Sequence, residues 1–190
     1  MKPGQENKLL PTSLKTKRLI LRPFKESDIQ DIMEYAAQEA WYKYLPVPVP
    51  YTIEDAKQFI SLVQNQDETS QALAIVNKED NKVIGGFNVK LDIDENQIMI
   101  GYSISPNYHK LGLGSEVGLF MIDQVFNNTN CNKIWADVDV RNIGSNILLK
   151  KLGLTKVKTV LQDRKVRDEI VDVSFYELER ADWEKSKKVK

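Results

Sequence analysis

Two glycines near the middle of the chain are the residues best placed to support chemistry. Residues 100–116 read IGYSISPNYHKLGLGSE, in which a predicted strand leads through a loop with Gly112 and Gly114 into a predicted helix. Glycine lets an anion approach the main chain closely because it has no side chain. The N–H groups of the first helical turn have no partner within the helix, and the helix dipole favours negative charge there. The pattern indicates a phosphate or diphosphate cradle, although an ordinary strand-to-helix turn has a similar local sequence.

Other phosphate-binding motifs compete for the same segment. The spacing of Gly112, Gly114 and Gly118 partly matches a dinucleotide-binding turn, with Asp137 or Asp139 downstream. In that fold the glycines directly follow the first strand of a βαβ series, whereas here loop residues intervene and three strands come first. A P-loop is excluded because no Gly-Lys-Ser/Thr follows. A dinucleotide-binding oxidoreductase stays open as an alternative.

The elements before this loop follow from hydrophobic periodicity and turn residues. A strand is predicted over residues 18–23, followed by a helix that Ser27 and Gln30 cap and that ends near Ala40. A proline-rich loop leads to a second helix, capped by Thr52 and Asp55. Short polar turns then join three antiparallel strands, over residues 72–76, 82–91 and 97–104.

The elements after the loop alternate between helix and strand. They are a helix over 114–126, a strand over 133–140, a helix over 142–152 ended by Gly153, and a hairpin of strands 154–162 and 170–179. The order predicts a single domain, with a mixed α+β or α/β single sheet that has helices on its faces.

Composition narrows the function classes. The 27 basic and 27 acidic residues among 190 cancel, so nothing indicates nucleic acid or an anionic membrane as the main partner. One cysteine, Cys131, permits no intrachain disulfide, and one histidine, His109, disfavours a metal site. No apolar run is long enough to span a bilayer, and the polar first residues contain no apolar signal core. We therefore expect a reduced, cytoplasmic setting.

Several short motifs, taken in order, resemble the GNAT acetyltransferase superfamily. They are IGYxIxPxY at 100–108, HKLGLG at 109–114, NIGS at 142–145 and KLGL at 151–154. The N-terminal TKRLILRP at 16–23 with Asp28, and YELERADW at 176–183, are similar to the branch of the ribosomal-protein N-terminal acetyltransferases. The resemblance covers residues 16–183 as one domain. It implies the GNAT fold, an α+β (α/β sandwich) architecture whose mixed, mostly antiparallel central sheet is flanked by helices and has splayed central strands. It leaves residues 1–15 as a flexible arm and 184–190 as a basic tail that we expect to be frayed.

The resemblance implies a site for acetyl-CoA. Main-chain N–H groups of the loop would hold the diphosphate, where the family pattern is Gln/Arg-x-x-Gly-x-Gly/Ala and this chain has His109 first. The pantetheine arm would lie between two central strands that splay apart, paired with main chain of the first as far as Ile104. Asn142 would bind the pantetheine or its loop. The cofactor-binding residues implied are Ile104, His109, Leu111, Gly112, Leu113, Gly114, Ser115 and Asn142.

The resemblance also implies a direct attack of an amine on the thioester, with N–H donors from a bulge near residues 103–105 stabilising the oxyanion. Ser145 would place its hydroxyl at the thioester sulfur, as the catalytic residue. Trp41, Tyr42 and Tyr44 would form the acceptor wall.

Two positions depart from the family pattern. Met99 stands where many relatives have a glutamate, and Leu149 where other branches have a tyrosine acid. Glu95, Asp137 and Asp139 are the remaining candidate bases, although such carboxylates are more often solvated surface charges.

The implied function is N-acetylation of a protein or peptide N-terminus, or of a small amine. A coenzyme A-binding sensor or partner protein without efficient catalysis is the alternative. The final hairpin offers an edge through which two copies could form a homodimer.

Overall fold

The computed structural model describes residues 8–188 and contains one eight-stranded sheet with helices on both faces. The strands are β1 Leu14–Lys15, β2 Leu19–Arg22, β3 Ser70–Asn77, β4 Val83–Asp92, β5 Gln97–Ile104, β6 Lys133–Asp139, β7 Thr155–Val166 and β8 Glu169–Glu179. The α-helices are α1 Ile29–Ala36, α2 Glu39–Tyr42, α3 Ile53–Gln64, α4 Leu113–Asn128, α5 Ile143–Lys151 and α6 Arg180–Lys188. Two 3₁₀ turns cover Glu26–Asp28 and Pro106–Tyr108.

The sheet has the order β1-β2-β3-β4-β5-β6-β8-β7, and every neighbouring pair is antiparallel except β5 with β6. The predicted mixed, mostly antiparallel sheet is therefore confirmed. The single parallel ladder, between the central strands β5 and β6, is short: it joins only residues 97–99 to residues 133–135.

Beyond that short contact the two central strands diverge. β5 stays paired with β4 along its whole length, from Gln97 to Ile104, while β6 stays paired with β8 as far as Asp139. Each strand thus follows its outer neighbour, and a gap opens between them toward their carboxyl ends. The splayed central strands implied by the resemblance are confirmed.

Alternating side chains divide the core between the two faces of the sheet. On one face, α4 and α5 pack on a buried cluster that includes Ile98, Ile100, Met121, Val125 and Leu149. On the other face, α1 and α3 cover a second cluster, whose buried members include Phe24, Ile32, Ala56, Ile60 and Ala74. The gap between β5 and β6 joins the two faces at the centre of the molecule.

The helix starts were predicted with mixed success. Thr52 and Asp55 form the expected capping box, with Asp55 Oδ2 accepting from Thr52 N at 2.8 Å. At α1 the interpretation of Ser27 as the cap is wrong, because Ser27 lies inside the preceding 3₁₀ turn and α1 begins after Asp28 without a side-chain cap from the described part of the chain. The Asp28 carboxylate instead accepts from Lys25 N at 2.9 Å in the capping box of that turn. The helix also ends at Ala36, before the predicted end, and the short α2 follows it.

Both ends of the described chain pack on the domain. Leu10, predicted within the flexible arm, is buried and exchanges two main-chain hydrogen bonds with the Gln71 side chain. The expected fraying of the C-terminal tail is wrong as far as Lys188, since α6 continues to that residue and Trp183 Nε1 donates to Asp123 at 2.8 Å. The rest of both predicted segments lies outside the described residues. Over residues 8–188, no helix has the length and apolar character required to cross a bilayer.

Candidate active site

The glycine loop ends in a helix start that has no cap. Gly112 is the N-cap residue of α4 with a left-handed φ of 78°, so the helix begins at Leu113, one residue before the predicted start. No side chain of the described residues caps this end, and the first bond of the helix joins Glu116 N to Gly112 O at 3.1 Å. The N–H groups of Leu113, Gly114 and Ser115 therefore have no intrahelical acceptor. Three free donors at the positive end of a sixteen-residue helix form a site that suits a diphosphate.

His109 serves the loop rather than the open space in front of it. Its Nε2 lies 2.9 Å from the main-chain oxygen of Ile104, so the ring ties the loop to the end of β5. Because Ser105 N donates to Ile84 O on β4, the preceding residue must direct its main-chain groups to the opposite edge, toward the gap. The same alternation places the main-chain groups of Tyr102 and Ile100 on that edge.

Arg18 lies beside the glycine loop, a position that its sequence context does not predict. Its Nε donates to Glu116 Oε2 at 2.7 Å and its Nη1 donates to Leu111 O at 2.8 Å. Its Nη2 forms no hydrogen bond with the described residues and lies 3.6 Å from the position that a Cβ on Gly112 would occupy. Arg18 thus supplies a positive charge next to the loop in which His109 replaces the Gln/Arg of the family pattern. The signal was present in the TKRLILRP motif, but nothing local links that motif to a loop about ninety residues later.

A cavity of about 540 Å³ passes through the gap between β5 and β6. Asn142 and Ser145 line it on the side of α5, whereas Trp41 and Tyr44 line it on the opposite side of the sheet. The structure therefore brings residues predicted for the donor side and residues predicted for the acceptor wall to one continuous space. The walls between them come from the two splayed strands, with Met99, Gly101 and Ser103 on β5 and Ala136, Asp137 and Val138 on β6.

Comparison with known proteins agrees with this geometry. A family model described as "Acetyltransferase (GNAT) domain" matches residues 18–155. The chain belongs to the GNAT acetyltransferase family. The N-acetyltransferase YnaD of Bacillus subtilis (strain 168) is 30% identical over 141 residues, which cover 74% of this chain and 81% of YnaD.

Solved GNAT structures show the same fold. The ribosomal-protein-S5-alanine acetyltransferase of Vibrio fischeri has a TM-score of 0.77 and 22% identity, covering 91% of this chain and 99% of its own. The microcin C7 self-immunity acetyltransferase MccE, solved in complex with acetyl-CoA and AMP, has a TM-score of 0.80 and 19% identity, covering 92% and 99%. The protein is thus an acetyl-CoA-dependent acyltransferase, and the free amides at Leu113–Ser115 with the open gap suit that donor.

On the α5 side, the cavity is lined by Ser145 and Tyr102, each of which has a hydroxyl group. Asn142 Oδ1 accepts from Ser145 N at 3.1 Å, so Asn142 caps α5 and fixes Ser145 in its first turn. The Tyr102 hydroxyl is buried and has no hydrogen-bond partner among residues 8–188. Burial raises the pKa of Tyr102 to about 12, and the nearby Ser145 hydroxyl opposes this rise in part, although no bond of acceptable geometry joins the two. Tyr102 was quoted in the sequence motif without being proposed as a site residue.

The three candidate bases differ in their position relative to the cavity and in their partners. Glu95 is exposed in the turn between β4 and β5 and does not line the cavity. Asp139 is bound to Arg141; its burial alone would raise its pKa, but the Arg141 hydrogen bonds lower it overall. Asp137 does line the cavity, where its carboxylate is paired with Arg164 from β7.

Three further expectations meet the structure here. Met99 and Leu149 both line the cavity, and neither side chain can transfer a proton. Tyr42 does not line the cavity; Arg167 covers its ring at 5.8 Å and donates to its carbonyl, so Tyr42 supports the loop. The bulge expected near residues 103–105 is wrong, because β5 pairs with β4 in regular register up to Ile104.

Proposed function

We propose that the chain transfers the acetyl group to the nitrogen of a primary amine inside this cavity. The observation that carries the proposal is the continuous space through the gap, which joins the hydroxyl groups of Ser145 and Tyr102 to the aromatic wall on the other face. Two substrates can therefore meet from opposite faces of the sheet. Holding both in one geometry can supply most of the rate acceleration.

The donor would be held at two places. The amides of Leu113, Gly114 and Ser115, with Arg18 beside them, would bind the diphosphate. The gap-facing main chain of β5 would pair with the pantetheine amides in the manner of an added strand. His109, which already occupies the Ile104 carbonyl, would shape the loop instead of binding the donor directly.

The chain's own groups account for the proton movements. Acetyl-CoA supplies a thioester whose carbonyl carbon accepts the amine. The Ser145 hydroxyl would donate to the leaving sulfur, with the neighbouring Tyr102 hydroxyl as a second donor that its raised pKa keeps protonated. The Asp137 carboxylate, which lines the cavity and is held in place by Arg164, would accept the amine proton.

The test measures thiol release from acetyl-CoA with a panel of amines, in the wild type and in Ser145→Ala. We expect kcat to fall at least about tenfold, which is below the usual range for a single proton donor because Tyr102 remains. The KM for acetyl-CoA should stay nearly unchanged. Ser174→Ala is a matched control, since Ser174 is equally small, is buried, has an unpaired hydroxyl and lies outside the cavity lining.

Equal losses of turnover and of donor affinity in Ser145→Ala would contradict its role at sulfur. Binding of acetyl-CoA without turnover on any amine would instead support the second candidate, a coenzyme A-binding sensor. The specific feature that favours this candidate is the absence of a proton-transferring side chain at Met99 and Leu149.

A further inference from the structure

We propose that the acceptor is a compact amine with a flat, uncharged, apolar body that carries one polar group capable of both donating and accepting a hydrogen bond. The inference deepens the proposed function and rests on it. It follows from the wall of the cavity on the α1–α3 face of the sheet.

That wall consists mainly of rings and aliphatic side chains. Its ring-bearing and branched members include Phe24, Trp41, Tyr44, Val47, Tyr51 and Phe59. The rings hold one another in place: Phe24 meets Phe59 edge-on at 5.0 Å, and Trp41 packs between Tyr35 at 5.3 Å and Tyr51 at 5.9 Å. A preformed aromatic wall favours a flat apolar ligand, which can face the rings without displacing them.

The charges of the lining exclude a polycation. Among the described residues that line the cavity, Asp137 and Arg164 are the charged side chains, and they are paired with each other. An acceptor with several ammonium groups would bring additional positive charges into a space with no free carboxylate to receive them. We therefore expect an acceptor with a single amino group, which would approach the Asp137–Arg164 pair at the gap.

Two buried polar atoms in the same wall lack partners. Within the described chain, Trp41 Nε1, a donor, and Gln66 Oε1, an acceptor, are both buried without a hydrogen bond, and both residues line the cavity. Buried polar groups in native structures are nearly always paired, by the protein or by a ligand. A hydroxyl group on the ligand can both donate and accept, so it suits either atom.

An extended peptide N-terminus fits this wall less well. Each of its residues would bring a main-chain donor and acceptor into a space that rings and aliphatic side chains mainly line, and among the described residues of this wall only Trp41 Nε1 and Gln66 Oε1 are buried without a partner. A protein N-terminus is therefore the outcome that would overturn the proposal in the test below.

The experiment compares tyramine, phenethylamine, spermidine and a tetrapeptide with a free N-terminal alanine, all with acetyl-CoA and the full chain. We expect kcat/KM to be highest for tyramine and at least about tenfold lower for spermidine and the peptide, as for a site whose polar groups must be paired. Preference for spermidine or for the peptide would overturn the proposed class while leaving acetyl transfer intact. Thiol release with none of the amines, despite acetyl-CoA binding in calorimetry, would instead refute the proposed function.

Paired variants test the role of the unpaired atoms. Trp41→Phe retains a ring but removes the N–H, so it should reduce the preference for tyramine over phenethylamine and leave the KM for acetyl-CoA unchanged. Trp135→Phe is the matched control, because Trp135 Nε1 is also buried and unpaired but lies outside the cavity lining. An unchanged tyramine preference in Trp41→Phe, or an equal reduction in both variants, would overturn the assignment of the hydroxyl to this wall.

Discussion

Alanine substitutions at the two glycines of the loop should have different effects, although a single residue separates Gly112 from Gly114. Gly112 has a φ of 78°, and an added Cβ would find only Arg18 Nη2 nearby, at 3.6 Å. Crowding is therefore absent, and the cost of Gly112→Ala comes from the left-handed backbone, about 1 to 2 kcal/mol. For a domain of this size that corresponds to a Tm lower by about 2 to 8 °C.

Gly114 lies within α4 and has no positive φ, so alanine fits its backbone. Its added Cβ would approach Leu148 Cδ2 to 3.0 Å, a contact that a flexible side chain can relieve. The helix propensity of alanine offsets this crowding, so we expect stability to change by less than about 0.5 kcal/mol.

Binding of acetyl-CoA should likewise be weakened in Gly112→Ala and nearly unchanged in Gly114→Ala. If Gly112→Ala relaxes toward a negative φ, the first-turn amides turn away from the loop. The KM for acetyl-CoA should then rise roughly tenfold, the equivalent of about one hydrogen bond to a charged group. Gly114→Ala leaves the amides in place, and its KM should change by less than about threefold. Thermal unfolding and thiol-release kinetics on both variants measure these effects. If Gly112→Ala kept the Tm and KM of the wild type while Gly114→Ala was destabilised, the reasoning would be refuted.

Three further predictions concern residues at the glycine loop and in the cavity. Arg18→Gln should raise the KM for acetyl-CoA but not for S-acetylpantetheine, which has no diphosphate; equal increases for both donors would argue for a purely structural Arg18. Tyr102→Phe should lower kcat with little effect on the KM for acetyl-CoA, and the wild-type kcat should show no loss from pH 7 to 10, because the pKa of Tyr102 is about 12; a decline near pH 10 that is absent from the variant would contradict this. Burial alone would raise the pKa of Glu116, but hydrogen bonds from Thr16 and Arg18 lower it overall from its ordinary value of 4.5. The ionised carboxylate therefore stabilises the fold above pH 4.5, and this stabilisation is lost as the pH falls through the lowered pKa. Glu116→Gln should therefore lower the Tm at pH 7, and melting curves should converge with those of the wild type in acid; a constant difference would exclude the ionic origin.

The features that sequence predicted well are those that neighbouring residues determine. The hairpin of β3 and β4 follows from alternating apolar residues around a polar turn, and Gly153 ends α5 because its φ of 94° suits glycine. The capping box of Thr52 and Asp55 is determined by four consecutive residues in the same way.

The features that sequence missed depend on contacts between distant residues. Arg18 reaches the cradle only because the sheet and α4 bring residues 18 and 111 together. The C-terminal lysines predicted a frayed end. Arg180 instead donates to the carbonyls of Phe126, Thr129 and Cys131 and anchors the start of α6. Local charge gives no sign of a helix that is held by its first residue.

The order of the strands explains why the catalytic groups meet where they do. β6 is paired along its full length with β8 but meets β5 only at residues 97–99. β5, in turn, is paired with β4 up to Ile104, so each central strand follows its outer neighbour and the two diverge. The opening therefore lies between two complete ladders. It places the first turn of α5, with Ser145, behind the gap and the aromatic wall in front of it. Substitutions of wall residues should for this reason alter which amine is accepted while leaving the donor side intact, and substitutions that weaken the β6–β8 ladder should impair both substrates together.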